Sequence, residues 1–275
     1  MKILIIDRDR LSSQLMVSKL KAEGHSVVEE AVKSEAIDRI EKGEHFDVVF
    51  VDPSPMKDAR AIMLNIRRMS HRYPFIVLMA NQDDQTIDLT ATFEAGGNTF
   101  IRKPIDNLIV ADKVRQAMHM RSMIQKIGDD SEDFPSAGGV ISKSAFNQLF
   151  LSCLDRGNRY GELSYTLSIG VDNYSEIETL DGKYNAEYVS SKLASHLVRL
   201  RRQSDIIGQT GINEYTLLLM RTQHPNEAKD AAARFAQNLE ELTDIAPSPT
   251  IKVKIFVRLT SLPDGTTNPE YLLAK

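Results

Sequence analysis

A chain of 275 residues, 42% hydrophobic and 26% charged, has the composition of a soluble globular protein and is long enough for two domains. Its net charge of −4 excludes a broad basic field that would recruit a nucleic acid polymer, and a single cysteine, Cys153, excludes an intramolecular disulfide. The N-terminal apolar run is too short for a signal peptide, no stretch approaches a membrane span, and six scattered histidines show no zinc-ligand spacing, so a cytoplasmic protein without a metal cluster is expected.

In chain order, apolar runs at 2–7, 25–30, 47–52, 75–80 and 98–104 are separated by helix-length segments. Short buried runs alternating with helices predict an α/β domain over 1–127: a doubly wound, five-stranded parallel sheet with helices on both faces. Gly24 and Gly96-Gly97 mark helix ends. Val110, Val114, Ala117 and Ile124 recur at helical spacing in a long last helix. The acidic stretch "GDDSEDFPSAG" (128–138) lacks periodicity and reads as a linker.

From 139 to 275 the order is helix (144–154), strand (163–172), a helix ending near Arg202, a hairpin around Gly211–Tyr215, an Ala-rich helix (225–242) and a strand (251–259). That order predicts an α+β domain with a mainly antiparallel sheet. Cys153 falls on an apolar helix and reads as a small core residue.

Asp7, Asp52 and Lys103 end the first, third and fifth strands, and such ends converge at one edge of a doubly wound sheet. Two carboxylates and a lysine there could hold Mg²⁺ and accept a phosphoryl group. This arrangement resembles a response-regulator receiver domain, with a CheY-like fold. The resemblance implies Asp52 as phosphoacceptor, Asp7 as a metal-site acid, and Lys103 and Phe100 as switch residues. Two positions depart from the family: Arg8 replaces a second acid and could pair with Asp52, and Met79 replaces a hydroxyl residue. Asp9 reads as a helix cap. The departures favour a domain kept for dimerisation or docking, with phosphorylation of Asp52 as the alternative.

The hairpin loop Gly211-Ile212-Asn213-Glu214-Tyr215 resembles the signature of GGDEF domains, the diguanylate cyclase family, and "SIGVDNYSEI" (168–177) parallels that family's preceding strand. The resemblance implies that metal-bound triphosphates would need acids where this chain has Gly170 and Asn213, leaving Glu214. It places guanine-reading residues at Glu178 and Glu187 and a lysine at Ser175. Asp172 and Tyr174 read as a strand end and a packing residue. A degenerate domain, no enzyme, is therefore expected.

The same resemblance implies a product-binding site formed by Arg-x-x-Asp before the loop and an arginine on the next helix. Here Arg202 and Asp205 stand at that offset, and Arg234 matches the third member. Guanidinium forks can engage a guanine edge or a phosphate, and a carboxylate can accept from guanine N–H groups. Arg199 and Arg201 add positive charge. The expectation is a non-catalytic signalling effector whose ligand is cyclic di-GMP, without a cofactor, as a homodimer acting on an unidentified signalling protein. A nucleotide-independent interaction scaffold is the alternative.

Overall fold

The five apolar runs of the first half become β1 (Lys2–Ile6), β2 (Ser26–Glu30), β3 (Val48–Val51), β4 (Phe75–Ala80) and β5 (Thr99–Arg102), all parallel, in the order β2-β1-β3-β4-β5. Every residue of β3 and β4 is buried, which is why these strands read as unbroken apolar runs: helices cover both sheet faces. The helices are α1 (Arg10–Ala22), α2 (Lys33–Glu41), α3 (Met56–Met69), α4 (Leu89–Glu94) and α5 (Asn107–Gly128). Asp9 caps α1, accepting from the backbone N–H groups of Leu11 and Ser12. Along α5, Val110, Val114, Ala117 and Met120 are buried on one stripe. The computed structural model describes residues 1–69, 73–220, 224–246, 251–262 and 264–275. They fall into two units, one of 1–123 with 154–162 and 264–265, the other of 124–153 with 163–262 and 266–275.

The second unit is built on β6 (Ser164–Val171), β7 (Ile206–Gly211), β8 (Glu214–Met220), β9 (Lys254–Ser261) and β10 (Thr267–Ala274), antiparallel throughout, in the order β10-β9-β6-β8-β7. Its helices are α6 (Lys143–Tyr160), α7 (Tyr174–Asp181), α8 (Lys183–Leu200) and α9 (Pro225–Glu240). Leu167, Ile169 and Val171 of β6 pack with Val189, Leu193 and Leu197 of α8 and Phe235 and Leu239 of α9 in one core. Cys153 is buried.

Three sequence expectations need correction here. The helix ending near Arg202 is α8, but a further short helix before it, α7, was not expected; Gly182 separates the two, at φ 88, a left-handed conformation that breaks the helical path. The last strand starts at Lys254, three residues after the predicted start at 251. A strand over Thr267–Ala274 was not expected at all; its Pro269 cannot donate to a ladder, and β10 tolerates it as an edge strand, with a register shift between Thr267 and Glu270. Among the described residues, no helix is long and apolar enough to cross a membrane.

Candidate functional site

At the carboxyl edge of the parallel sheet, Ile6 pairs with Val51, so Asp7 and Asp52 follow from neighbouring strands. Asp7 is buried, with its side chain 0% exposed, and Lys103 Nζ lies 3.0 Å from its Oδ1 and 2.8 Å from its Oδ2. Asp9 N–H also donates to Oδ1 (3.0 Å). Asp52 Oδ1 accepts from Ser54 N–H (3.0 Å), and Met79 is fully buried in β4. Arg8 is exposed and forms no salt bridge with Asp52, contrary to the direct pairing its position suggested. Lys33, not singled out in the sequence, comes closer: its Nζ donates to Ser54 O (2.8 Å). Its pKa is lowered by burial and then by Arg8, while Asp52 and Asp58 act in the opposite sense. Asp7 is therefore paired with Lys103, while Lys33 lies within reach of the charges of Asp52 and Arg8. This donor set, already balanced by cations, does not fit a divalent ion as it stands.

In the second unit the signature loop is a two-residue turn, Ile212-Asn213, between Gly211 at the end of β7 and Glu214 at the start of β8. It is clasped from two sides. Asn213 Nδ2 donates to Val171 O (2.7 Å) and Asn213 O accepts from Val171 N–H (2.9 Å). Ser190 of α8 donates to Ile212 O (3.0 Å) and lies 2.9 Å from Tyr215 OH. Burial pushes the Tyr215 hydroxyl pKa up, against the Ser190 hydrogen bond.

Gly170, where an acid would have to project, has no space: an added Cβ would lie 2.5 Å from Asn213 O and 2.7 Å from Phe256 Cζ. Glu214 places Oε2 2.6 Å from Lys126 Nζ and Oε1 3.0 Å from Thr210 Oγ1. One carboxylate with both oxygens engaged does not fit a divalent ion, which needs several oxygen ligands. Glu178 and Glu187 are exposed, and both, after burial itself, raise the pKa of the Tyr174 hydroxyl. Ser175 is exposed.

Past α8 the chain makes a tight turn that brings Arg202 and Asp205 together. Asp205 N–H donates to Arg202 O (3.1 Å), Arg202 N–H donates to Asp205 Oδ2 (3.0 Å), and Arg201 Nη1 donates to Asp205 O (2.8 Å). Arg202 Nη1 reaches Glu227 Oε1 on α9 at 3.4 Å. Arg234 is seven residues further along α9, on the same helical face, and its Nη2 is buried without a hydrogen-bond partner.

On α8, His196 Nε2 is likewise buried without a hydrogen-bond partner. Burial, then Arg199, lowers its pKa below 6.5, against a backbone hydrogen bond at Asn238. A lowered folded value means the neutral ring is favoured in the folded state. The unfolded chain therefore takes up the proton first, and stability is lost as pH falls below about 6.5. His196→Gln is expected to flatten the fall in urea midpoint between pH 7 and 5; an unchanged slope would count against this assignment.

Residues 3–118 match the response regulator receiver domain family, and residues 136–275, 140 of the 275, match the family described as diguanylate cyclase, GGDEF domain. No curated protein matches the chain. Among solved structures, a two-component response regulator from Clostridium difficile is 27% identical with a TM-score of 0.37, over 42% of this chain and 94% of that one. The N-terminal domain of a response regulator/sensory box/GGDEF protein from Carboxydothermus hydrogenoformans is 15% identical (TM-score 0.40, 44% and 97% covered). A GGDEF domain from Pseudomonas aeruginosa is 19% identical (TM-score 0.38, 43% and 69% covered).

These findings correct the expectation of no enzyme. The family matched over the whole second domain is one of diguanylate cyclases, and a shortage of carboxylates in one loop does not remove the domain from it. The chain carries a receiver domain followed by a second domain, and through that second domain it belongs to the diguanylate cyclase GGDEF family.

Proposed function

We propose that this signalling protein binds cyclic di-GMP through Arg202, Asp205 and Arg234 of its GGDEF domain, with the receiver domain serving dimerisation or docking to another signalling protein. The observation that carries the reading is the turn after α8. It fixes Arg202 against Asp205 by reciprocal backbone and side-chain hydrogen bonds, and the Arg202–Glu227 pair ties that turn to the helix bearing Arg234. A buried guanidinium nitrogen without a hydrogen-bond partner, as at Arg234, retains donor capacity for a ligand acceptor. Two arginine forks suit the phosphates and the O6/N7 edges of a guanine dinucleotide, and a carboxylate suits guanine N–H donors.

Calorimetric titration with cyclic di-GMP tests this. Wild type is expected to bind, and Arg202→Ala to weaken binding about 30-fold, the effect of losing charge-assisted hydrogen bonds. Arg202→Lys would not restore affinity, because an ammonium lacks the planar fork. Absence of binding by the wild type, or equal affinity in Arg202→Ala, would refute the assignment.

A further inference from the structure

We propose that Arg102 is a latch that fixes the loop after β4 to the sheet in one conformation, so that the cleft at the carboxyl edge of the receiver domain is preformed and does not rearrange. The inference concerns the first unit alone and is independent of the Arg202 site.

The geometry begins at the end of the β4–β5 ladder. Ala80 pairs with Arg102, and Lys103 N–H donates to Ala80 O (2.8 Å), so β5 runs alongside the point where the chain leaves β4. From there to the start of α4 at Leu89 the chain is mostly exposed, which ordinarily makes a loop mobile. Its own bonds are short-range: Asp84 N–H donates to Asn81 O (3.2 Å), Gln85 N–H to Asp83 O (3.0 Å) and Thr86 N–H to Asp84 Oδ1 (3.0 Å). Arg102 ties the loop to the sheet. Its guanidinium donates from Nη1 to Asn81 O (3.3 Å) and Asp84 O (2.8 Å), and from Nη2 to Ile87 O (2.9 Å). These carbonyls recur at every third residue, so a single fork spans the loop from its first residue to Ile87, which is itself buried.

A second observation concerns what aims the fork. Phe100 lies two residues before Arg102 on β5, hence on the same sheet face, and the guanidinium carbon stands 5.2 Å from the centroid of its ring. The planar group is thus oriented by the ring while its N–H groups reach the carbonyls. A lysine ammonium keeps the charge but lacks the planar fork that meets three acceptors at once. Asn81 and Asp83 of the pinned loop line a cleft of about 780 Å³ together with Asp9, Leu11, Leu15 and Lys103. Whatever meets this edge meets one shape, and binding there carries no cost of ordering the loop.

The test uses the full chain and amide hydrogen exchange read by mass spectrometry. Arg102→Lys and Arg102→Ala are each expected to speed exchange at Asp84, Gln85 and Thr86 about 30-fold, the scale of losing charge-assisted hydrogen bonds, while residues 76–79 of β4 keep wild-type rates. Because the chain has no tryptophan, Gln82→Trp supplies a second reading: the fluorescence anisotropy of that one indole is expected to fall when Arg102→Lys is added. Wild-type exchange rates in both Arg102 variants, or an unchanged anisotropy, would overturn the proposal. So would wild-type rates in Arg102→Lys alone, since charge without the fork would then suffice. Equal acceleration in β4 would overturn it as well, since Arg102 would then support the whole domain and not the loop. Arg102→Lys is expected to leave the cyclic di-GMP titration unchanged, so failure here and failure of the Arg202 assignment are read separately.

Discussion

Gly170→Asp is expected to destabilise the second domain by about 4 kcal/mol, and Gly170→Ala by about 2 kcal/mol, as overpacking of a closed site, with an unpaired carboxylate added in the first case. Gly170 pairs with Glu214 across one ladder and with Phe256 across the other. The Phe256 ring folds over its own cross-strand glycine, so an added Cβ would meet ring carbons at 2.7 and 2.8 Å and, more severely, the Asn213 backbone oxygen at 2.5 Å. The backbone contact cannot be relieved by a rotamer change, because Asn213 O is held by Val171 N–H (2.9 Å). Phe256→Ala in the Gly170→Ala background should therefore recover only part of the loss. Urea unfolding followed by far-UV circular dichroism reads all three variants. A Gly170→Asp protein within 0.5 kcal/mol of wild type, on the ordinary scale of surface substitutions, would show that the turn opens readily and that the space is not closed.

The second large effect lies in the receiver domain. Lys103→Met is expected to cost about 3 kcal/mol, because it strands a buried carboxylate whose partner has been removed. Asp7 Oδ2 has no hydrogen bond and relies on the Lys103 ammonium at 2.8 Å, whereas Oδ1 also accepts from Asp9 N–H. Asp7→Asn alone should cost less, and the double variant should recover most of the loss of Lys103→Met, since removing both charges removes the penalty. The double-mutant cycle in chemical denaturation measures this coupling. Additive effects of the two substitutions would mean that the pair is solvated and contributes little.

Much of this architecture could be read before the structure. The parallel strands were legible because burial on both faces removes alternation, and Asp7, Asp52 and Lys103 could be placed together because the strand ends of such a sheet share one edge. What stayed hidden depends on partners distant in sequence. Lys126 meets Glu214 across 88 residues, and Lys33 reaches Ser54 from the first turn of α2, so neither carries a local signature. Phe256 has its effect at Gly170 only through the register of β6 with β9. The strand at Thr267–Ala274 was masked by Pro269, a residue that argues against a central strand but not against an edge. Expecting no enzyme from missing loop acids erred differently: the resemblance to the family was legible, but its activity was judged by a few side chains when the match to the diguanylate cyclase family extends over 136–275.

The most direct measurement is a crystal structure of the protein grown with cyclic di-GMP. The account predicts density for the dinucleotide bounded by the Arg202 and Arg234 guanidinium groups and the Asp205 carboxylate, with the Arg202–Glu227 pair opened. Density only against the Ile212-Asn213 turn, or crystals without the dinucleotide at saturating concentration, would contradict it.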